Sequence, residues 1–166
     1  EGVDYKVSYS NNINAGTAKV IITGIGDYDG TVTKDFTIAK QVYSSKFKTT
    51  LSTVNYTYTG SAKKPSVTVY NAAGKKLVNG TDYSVAYASG RTKIGKYKVT
   101  ITFKGNYSGS KALYFEIGPK NPSSVKTALY GYDDVKVSWS KVSGASGYKV
   151  YYKKSTASSW TYLKAT

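Results

Sequence analysis

Residues 79–117 read NGTDYSVAYASGRTKIGKYKVTITFKGNYSGSKALYFEI. The same order of residues opens the chain: residues 1–38 read EGVDYKVSYSNNINAGTAKVIITGIGDYDGTVTKDFTI. Gly16 corresponds to Gly95, Tyr28 to Tyr107, Gly30 to Gly109 and Ile38 to Ile117, each pair 79 positions apart. Asp4-Tyr5 precedes Asp82-Tyr83 by 78, so one residue has been gained between. Self-similarity at a fixed long period marks an array of structural units.

Within each copy the apolar residues alternate. Tyr5, Val7 and Tyr9 share one face of a strand, as do Tyr83, Val85 and Tyr87. Tyr97, Val99, Ile101 and Phe103 alternate with Lys96, Lys98, Thr100, Thr102 and Lys104. Phe36 and Ile38, like Phe115 and Ile117, close each copy facing inward, with Tyr114 and Glu116 facing out. A period of two is the mark of half-buried strands. Gly and Asn clusters at 11–16, 24–30, 71–74 and 79–80 supply the turns, of which Asn71–Gly74 and Asn79-Gly80 read as hairpins.

Working outward, residues 41–78 form a front half absent from the first copy. Val54, Tyr56 and Tyr58 alternate, as do Val67 and Val69 behind Pro65, which predicts an edge strand there. Ala39 to Tyr43 reads as a link. Residues 41–118 then form one complete unit of about six short strands, preceded by a C-terminal half-unit at 1–40. This all-β pattern predicts small antiparallel sandwich modules, with a β-grasp-like sheet as the alternative. Residues 119–121 are a linker, and two prolines within Pro119–Pro122 stiffen it. Beyond it the pattern changes. Val135, Val137 and Trp139 alternate, and so do Tyr148, Val150 and Tyr152.

Composition narrows the chemistry. The 166 residues include no Cys, His or Met, but 18 Tyr. There are therefore no disulfides or thiolate metal sites, and the commonest general base is missing. Asp133-Asp134 is the only adjacent acid pair and reads as a turn, so no catalytic group and no cofactor site is expected. No apolar run reaches the ~18 residues of a membrane span. Residue 1 falls inside a repeat and no initiator Met is present, so the chain is expected to be a piece of a longer protein.

The net charge of +15 is unevenly spread. Residues 1–40 hold four Lys and five acids. Residues 41–118 hold eleven Lys, Arg91 and two acids, and residues 119–166 eight Lys and two acids. A basic surface attracts anionic polymers. Sequence readout on nucleic acid leans on the Arg fork, and one Arg against 23 Lys argues against a specific nucleic-acid reader. Lys on the outward faces of strands also blocks edge pairing.

The first two units resemble the Ig-like tandem repeats of bacterial cell-surface proteins. The motifs are Tyr56–Gly60 (YTYTG), Pro65–Val69 (PSVTV), Gly80–Tyr87 (GTDYSVAY), Gly105–Gly109 (GNYSG) and Phe115–Ile117 (FEI). Residues 122–166 resemble the front half of a fibronectin type III domain, with Trp139 as its core tryptophan and Tyr148–Tyr152 as its third strand. The resemblance implies a non-enzymatic, extracellular spacer or adhesin stalk on the cell surface, attached to the wall or secreted, of Gram-positive type. A carbohydrate- or host-ligand-binding module using exposed Tyr and Lys is the alternative. The expected partners are cell-wall polymer or a host glycan or protein, and the half-units are expected to be completed by a neighbouring chain or further sequence.

Candidate positions are few. Asp27 and Asp29 in DYDG have the look of a calcium loop, but the second copy keeps only Tyr107 and Gly109, which a turn explains. Tyr70, Tyr114, Tyr151 and Arg91 are the candidate ligand surface. A Lys–Asn isopeptide crosslink needs a buried Lys with a neighbouring acid, and alternation turns Glu116 outward.

Overall fold

A computed structural model describes all 166 residues, and it is all-β. The first meander is β1 (Tyr5–Ser10), β2 (Gly16–Gly24) and β3 (Thr31–Ile38). The front half adds β4 (Gln41–Val42), β5 (Lys48–Leu51), β6 (Asn55–Thr57) and β7 (Val67–Tyr70). The second copy contributes β8 (Tyr83–Tyr87), β9 (Gly95–Phe103), β10 (Tyr107–Ser108) and β11 (Ser110–Gly118). The last region holds β12 (Lys126–Tyr130), β13 (Asp134–Ser138), β14 (Lys149–Tyr152) and β15 (Thr161–Ala165). No helix is long and apolar enough to cross a membrane.

Two compact units emerge. One comprises Glu1–Val54, Pro65–Ala88 and Tyr97–Phe115; the other comprises Asn55–Lys64, Ser89–Lys96 and Glu116–Thr166. One four-stranded sheet has the order β6-β11-β9-β8.

The repeat is reproduced in the backbone. Val7 pairs opposite Ile22 in β1–β2, and Val85 opposite Ile101 in β8–β9. The turn before each first strand closes with the same bond, Gly2 N–H to Tyr5 C=O and Gly80 N–H to Tyr83 C=O, both 2.7 Å. The turn before β3 and its counterpart before β11 close alike, with Gly24 N–H to Gly30 C=O and Phe103 N–H to Gly109 C=O at 3.0 Å. Gly30 and Gly109 have φ of 97° and 99°. That region penalises any side chain, which is why both copies keep glycine there.

In the first copy the register places Tyr5, Val7, Tyr9, Ile22, Val32 and Phe36 on one face. Tyr9 and Phe36 meet edge-on at 6.4 Å. The other face is polar, with Lys19 and Asp35 paired at 2.7 Å. In the second copy the equivalent face is sealed. Phe47, Val69 and Leu77 from the front half bury against Tyr83, Ile101, Phe103 and Tyr107. Phe103 is stacked on Tyr43 at 5.2 Å and edge-on to Phe47 at 5.3 Å. Each such side chain removed from water is worth about 1.5–3 kcal/mol. Within this cluster Tyr83 and Ile101 are 3% and 0% exposed, and Phe115, whose ring meets Tyr97 at 5.6 Å, is 1% exposed, against 39%, 39% and 38% for Tyr5, Ile22 and Phe36.

The structure differs from the sequence reading in the front half. Residues 41–118 contain eight strands rather than about six. The Ala39–Tyr43 link carries β4, which pairs parallel with β10. The segment Lys48–Leu51, not read as a strand, pairs antiparallel with β7. Asn71–Gly74 does form a tight turn, with Asn71 Oδ1 accepting the Ala73 and Lys75 N–H groups. Asn79-Gly80 is not a hairpin. It is a corner between the β5–β7 sheet and β8, where Asp82 accepts the Val78 N–H at 2.8 Å.

Residues 119–166 form two hairpins, β12–β13 and β14–β15. Trp139 and Tyr148 meet at 5.2 Å, and Val142 is the one buried apolar residue of this region. Every residue of β12 and β13 is exposed.

Candidate functional site

Asp27 and Asp29 lie in the exposed turn before β3. Asp29 Oδ1 accepts the N–H of Gly30 at 2.7 Å, so this carboxylate is part of the turn. No cluster of three or more Asp, Glu, His or Cys side chains stands close enough to hold a metal ion. The counterpart of Asp27 has a different task. Asn106 accepts the Ala15 N–H at 2.7 Å and donates to Asn14 Oδ1 at 2.8 Å, clasping the β1–β2 turn. That role was visible in sequence only as an Asp-to-Asn difference between the copies.

The ligand-surface candidates lie on different elements. Tyr70 is half-buried at the end of β7, opposite Lys48. Tyr114 is 49% exposed on β11, in another sheet. Arg91 is half-buried in the β8–β9 loop, where its guanidinium donates to the Lys63 carbonyl at 2.8 Å. The Lys63 N–H returns a bond to the Arg91 carbonyl at 3.1 Å. This reciprocal pair ties two loops together and engages the only guanidinium in the chain. No charged residue is buried anywhere, and Glu116 is exposed, 3.9 Å from Lys96, so the buried Lys–acid pair of an isopeptide site is not assembled.

Tyr151 belongs to an exposed aromatic grouping on the last hairpin. Its ring meets Tyr162 at 5.5 Å across β14–β15, and Lys153 lies over the Trp160 ring at 5.4 Å. Trp160 and Tyr162 are both exposed. Alternation along residues 148–152 predicts Tyr151 outward, but β15 gives no comparable pattern, so Trp160 and Tyr162 were not found. A cleft of about 450 Å³ in the same unit is lined by Pro119, Val125, Val137, Trp139, Tyr148 and Val150, among others. Its lining also includes Lys120, Asn121 and Lys149, and no carboxylate.

One titratable group is perturbed by its surroundings. Burial, then the neighbouring Tyr87 and Asp82, push the Tyr83 hydroxyl above its ordinary pKa. That hydroxyl donates to the Val67 carbonyl at 3.3 Å, so it belongs to the core.

No family model matches the chain, and no significant match occurs among curated proteins or solved structures.

Proposed function

We propose that the chain is a non-enzymatic spacer from an extracellular, cell-surface protein, built of Ig-like repeats and the front half of a fibronectin type III-like domain. The observation that carries this reading is the repeat itself, kept to the level of turn hydrogen bonds and glycine φ angles while outward side chains vary. Conserving the frame and not any polar constellation fits a module whose task is to be a compact unit. The basic coat gives weak, salt-sensitive attraction to anionic wall polymers.

The grouping of Tyr151, Tyr162, Trp160 and Lys153 favours a second reading, a carbohydrate-binding surface on β14–β15. Exposed aromatic faces stack on sugar rings, and Lys holds acidic substituents. Glycan and polyanion binding measured at low and high salt separates the two. A spacer shows only polyanion binding that vanishes with salt. Salt-resistant glycan binding that falls at least tenfold in Trp160→Ala or Tyr151→Ala establishes the second reading instead.

A further inference from the structure

The loop between the first and second strands of the repeat occurs twice, at residues 11–16 and 89–95. Both copies end on a glycine of similar conformation, with φ of 143° at Gly16 and 153° at Gly95. The residue just before it, Ala15 or Ile94, therefore holds the same place in the frame. At both places the loop touches the module that comes next in the chain. The Ala15 N–H donates to Asn106 Oδ1 at 2.7 Å, and Asn106 Nδ2 donates to Asn14 Oδ1 at 2.8 Å. The Asn106 carbonyl also accepts the Gln41 N–H at 2.9 Å, so one residue gathers both the loop and the link between the copies.

The second copy meets a different neighbour by different means. Asn55–Lys64 and Ser89–Lys96 belong to one compact unit with Glu116–Thr166. Half-buried Ile94 fills the space over Gly144, in the turn closed by the Ala145 N–H on the Val142 carbonyl. A Cβ added at Gly144 would meet Ile94 Cδ1 at 2.6 Å and Tyr58 Cδ1 at 3.9 Å. Val142 in that turn is buried, and its N–H donates to the Tyr148 hydroxyl at 2.5 Å, which holds the turn from its own module. The repeat's side of the seat is held by the reciprocal Arg91–Lys63 bonds, which join the two loops that carry Ile94 and Tyr58.

We propose that this loop is the coupling element of the array, and that the residue before its glycine sets which kind of module it accepts. A small residue, as at Ala15, leaves room for an asparagine amide to reach the main chain, so it accepts a repeat whose turn presents Asn at the Asn106 position. An amide both accepts and donates, and so satisfies Ala15 N–H and Asn14 Oδ1 together; a carboxylate, which only accepts, could not. An isoleucine accepts a module that presents a glycine-bearing turn, as Ser143-Gly144-Ala145 does. Relative motion is the default for linked modules. A short proline-stiffened link plus a specific contact leaves little room to swivel, so each joint keeps one angle. The inference rests on the repeat and holds whether or not the array is a spacer.

The chain has no cysteine, so introduced pairs can carry spin labels unambiguously. In the intact chain, Thr33→Cys with Ser84→Cys reports the first joint and Ser61→Cys with Lys136→Cys the second, all four positions being exposed. We expect one narrow distance distribution from each pair. Ile94→Asp should at least double the width at the second joint and leave the first unchanged, and Asn106→Ala should do the reverse. Slow amide exchange in Gly95–Phe103 checks that each variant is folded. If Ile94→Asp loses that protection, the milder Ile94→Ala decides, with broadening again confined to the second joint. A broad distribution before substitution, widths indifferent to the folded variants, or broadening of both joints by one of them would each overturn the proposal.

Discussion

Residues 5–38 and 83–117 follow one backbone path, yet Phe36 lies open to solvent where Phe115 is sealed. Strand register, turn bonds and glycine conformations agree between the copies because local sequence sets them. Burial differs because it depends on residues 41–78, which cover one copy only. A single-layer sheet of three strands is marginal by itself, and so the first copy is held by its hydrogen bonds and by the Asn106 clasp. Opening free energies should accordingly be low across β1–β3 and near the global value in β9.

Substitutions at matched positions can break this contrast. The largest difference is expected at the phenylalanines. Phe115→Ala should cost about 3–5 kcal/mol in a urea titration, whereas Phe36→Ala should cost under about 1. Equal costs would mean that the first copy is covered in solution. Gly109→Ala and Gly30→Ala come next. Each incurs about 1–2 kcal/mol of left-handed backbone strain, and Gly109→Ala adds the clash with Tyr43. Thermal melts should therefore rank Gly109→Ala as the worse of the two.

The third expectation concerns pH. The Tyr83 pKa is raised on folding, so its contribution is complete below the unfolded value of about 10 and is lost as pH rises through the folded value. Stability should fall above about pH 10, and Tyr83→Phe should flatten that fall while sacrificing the weak bond to Val67. An alkaline limb unchanged in Tyr83→Phe would assign it elsewhere. The smallest effects are expected at the ion pairs. Lys19–Asp35 and Lys96–Glu116 are solvent-exposed, and breaking either by Lys→Ala should change stability by less than about 1 kcal/mol, less still in high salt.

The residues themselves made much of this frame legible. Alternation in 97–103 reported the buried face of β9, and the copies reported each other's turns. What failed was short-range signal in short strands. Gln41-Val42 is two residues long, too brief for a period, and becomes a strand only because Tyr107-Ser108 offers it partners. Phe47 was missed although Phe47, Thr49 and Leu51 alternate, because the surrounding Lys and Thr read as surface. Arg91 looked like a free charge, since nothing local says that its target is a carbonyl 28 positions away. The Trp160–Lys153 contact depends on how the β14–β15 hairpin closes, and a register shift at Val150/Tyr151 hides that from a simple alternating count.

The parallel entry of β4 beside β10 bears on how the unit would carry tension. Pulling on Gln41 and Gly118 draws β4 one way and the β10–β11 line the other. Two strands lying parallel cannot peel apart bond by bond under such a load; they must slide, and their hydrogen bonds resist together. The short pairing at Gln41-Val42, the least legible strand in the sequence, would then share the load with the parallel pairing of β6 beside β11 at Glu116–Gly118.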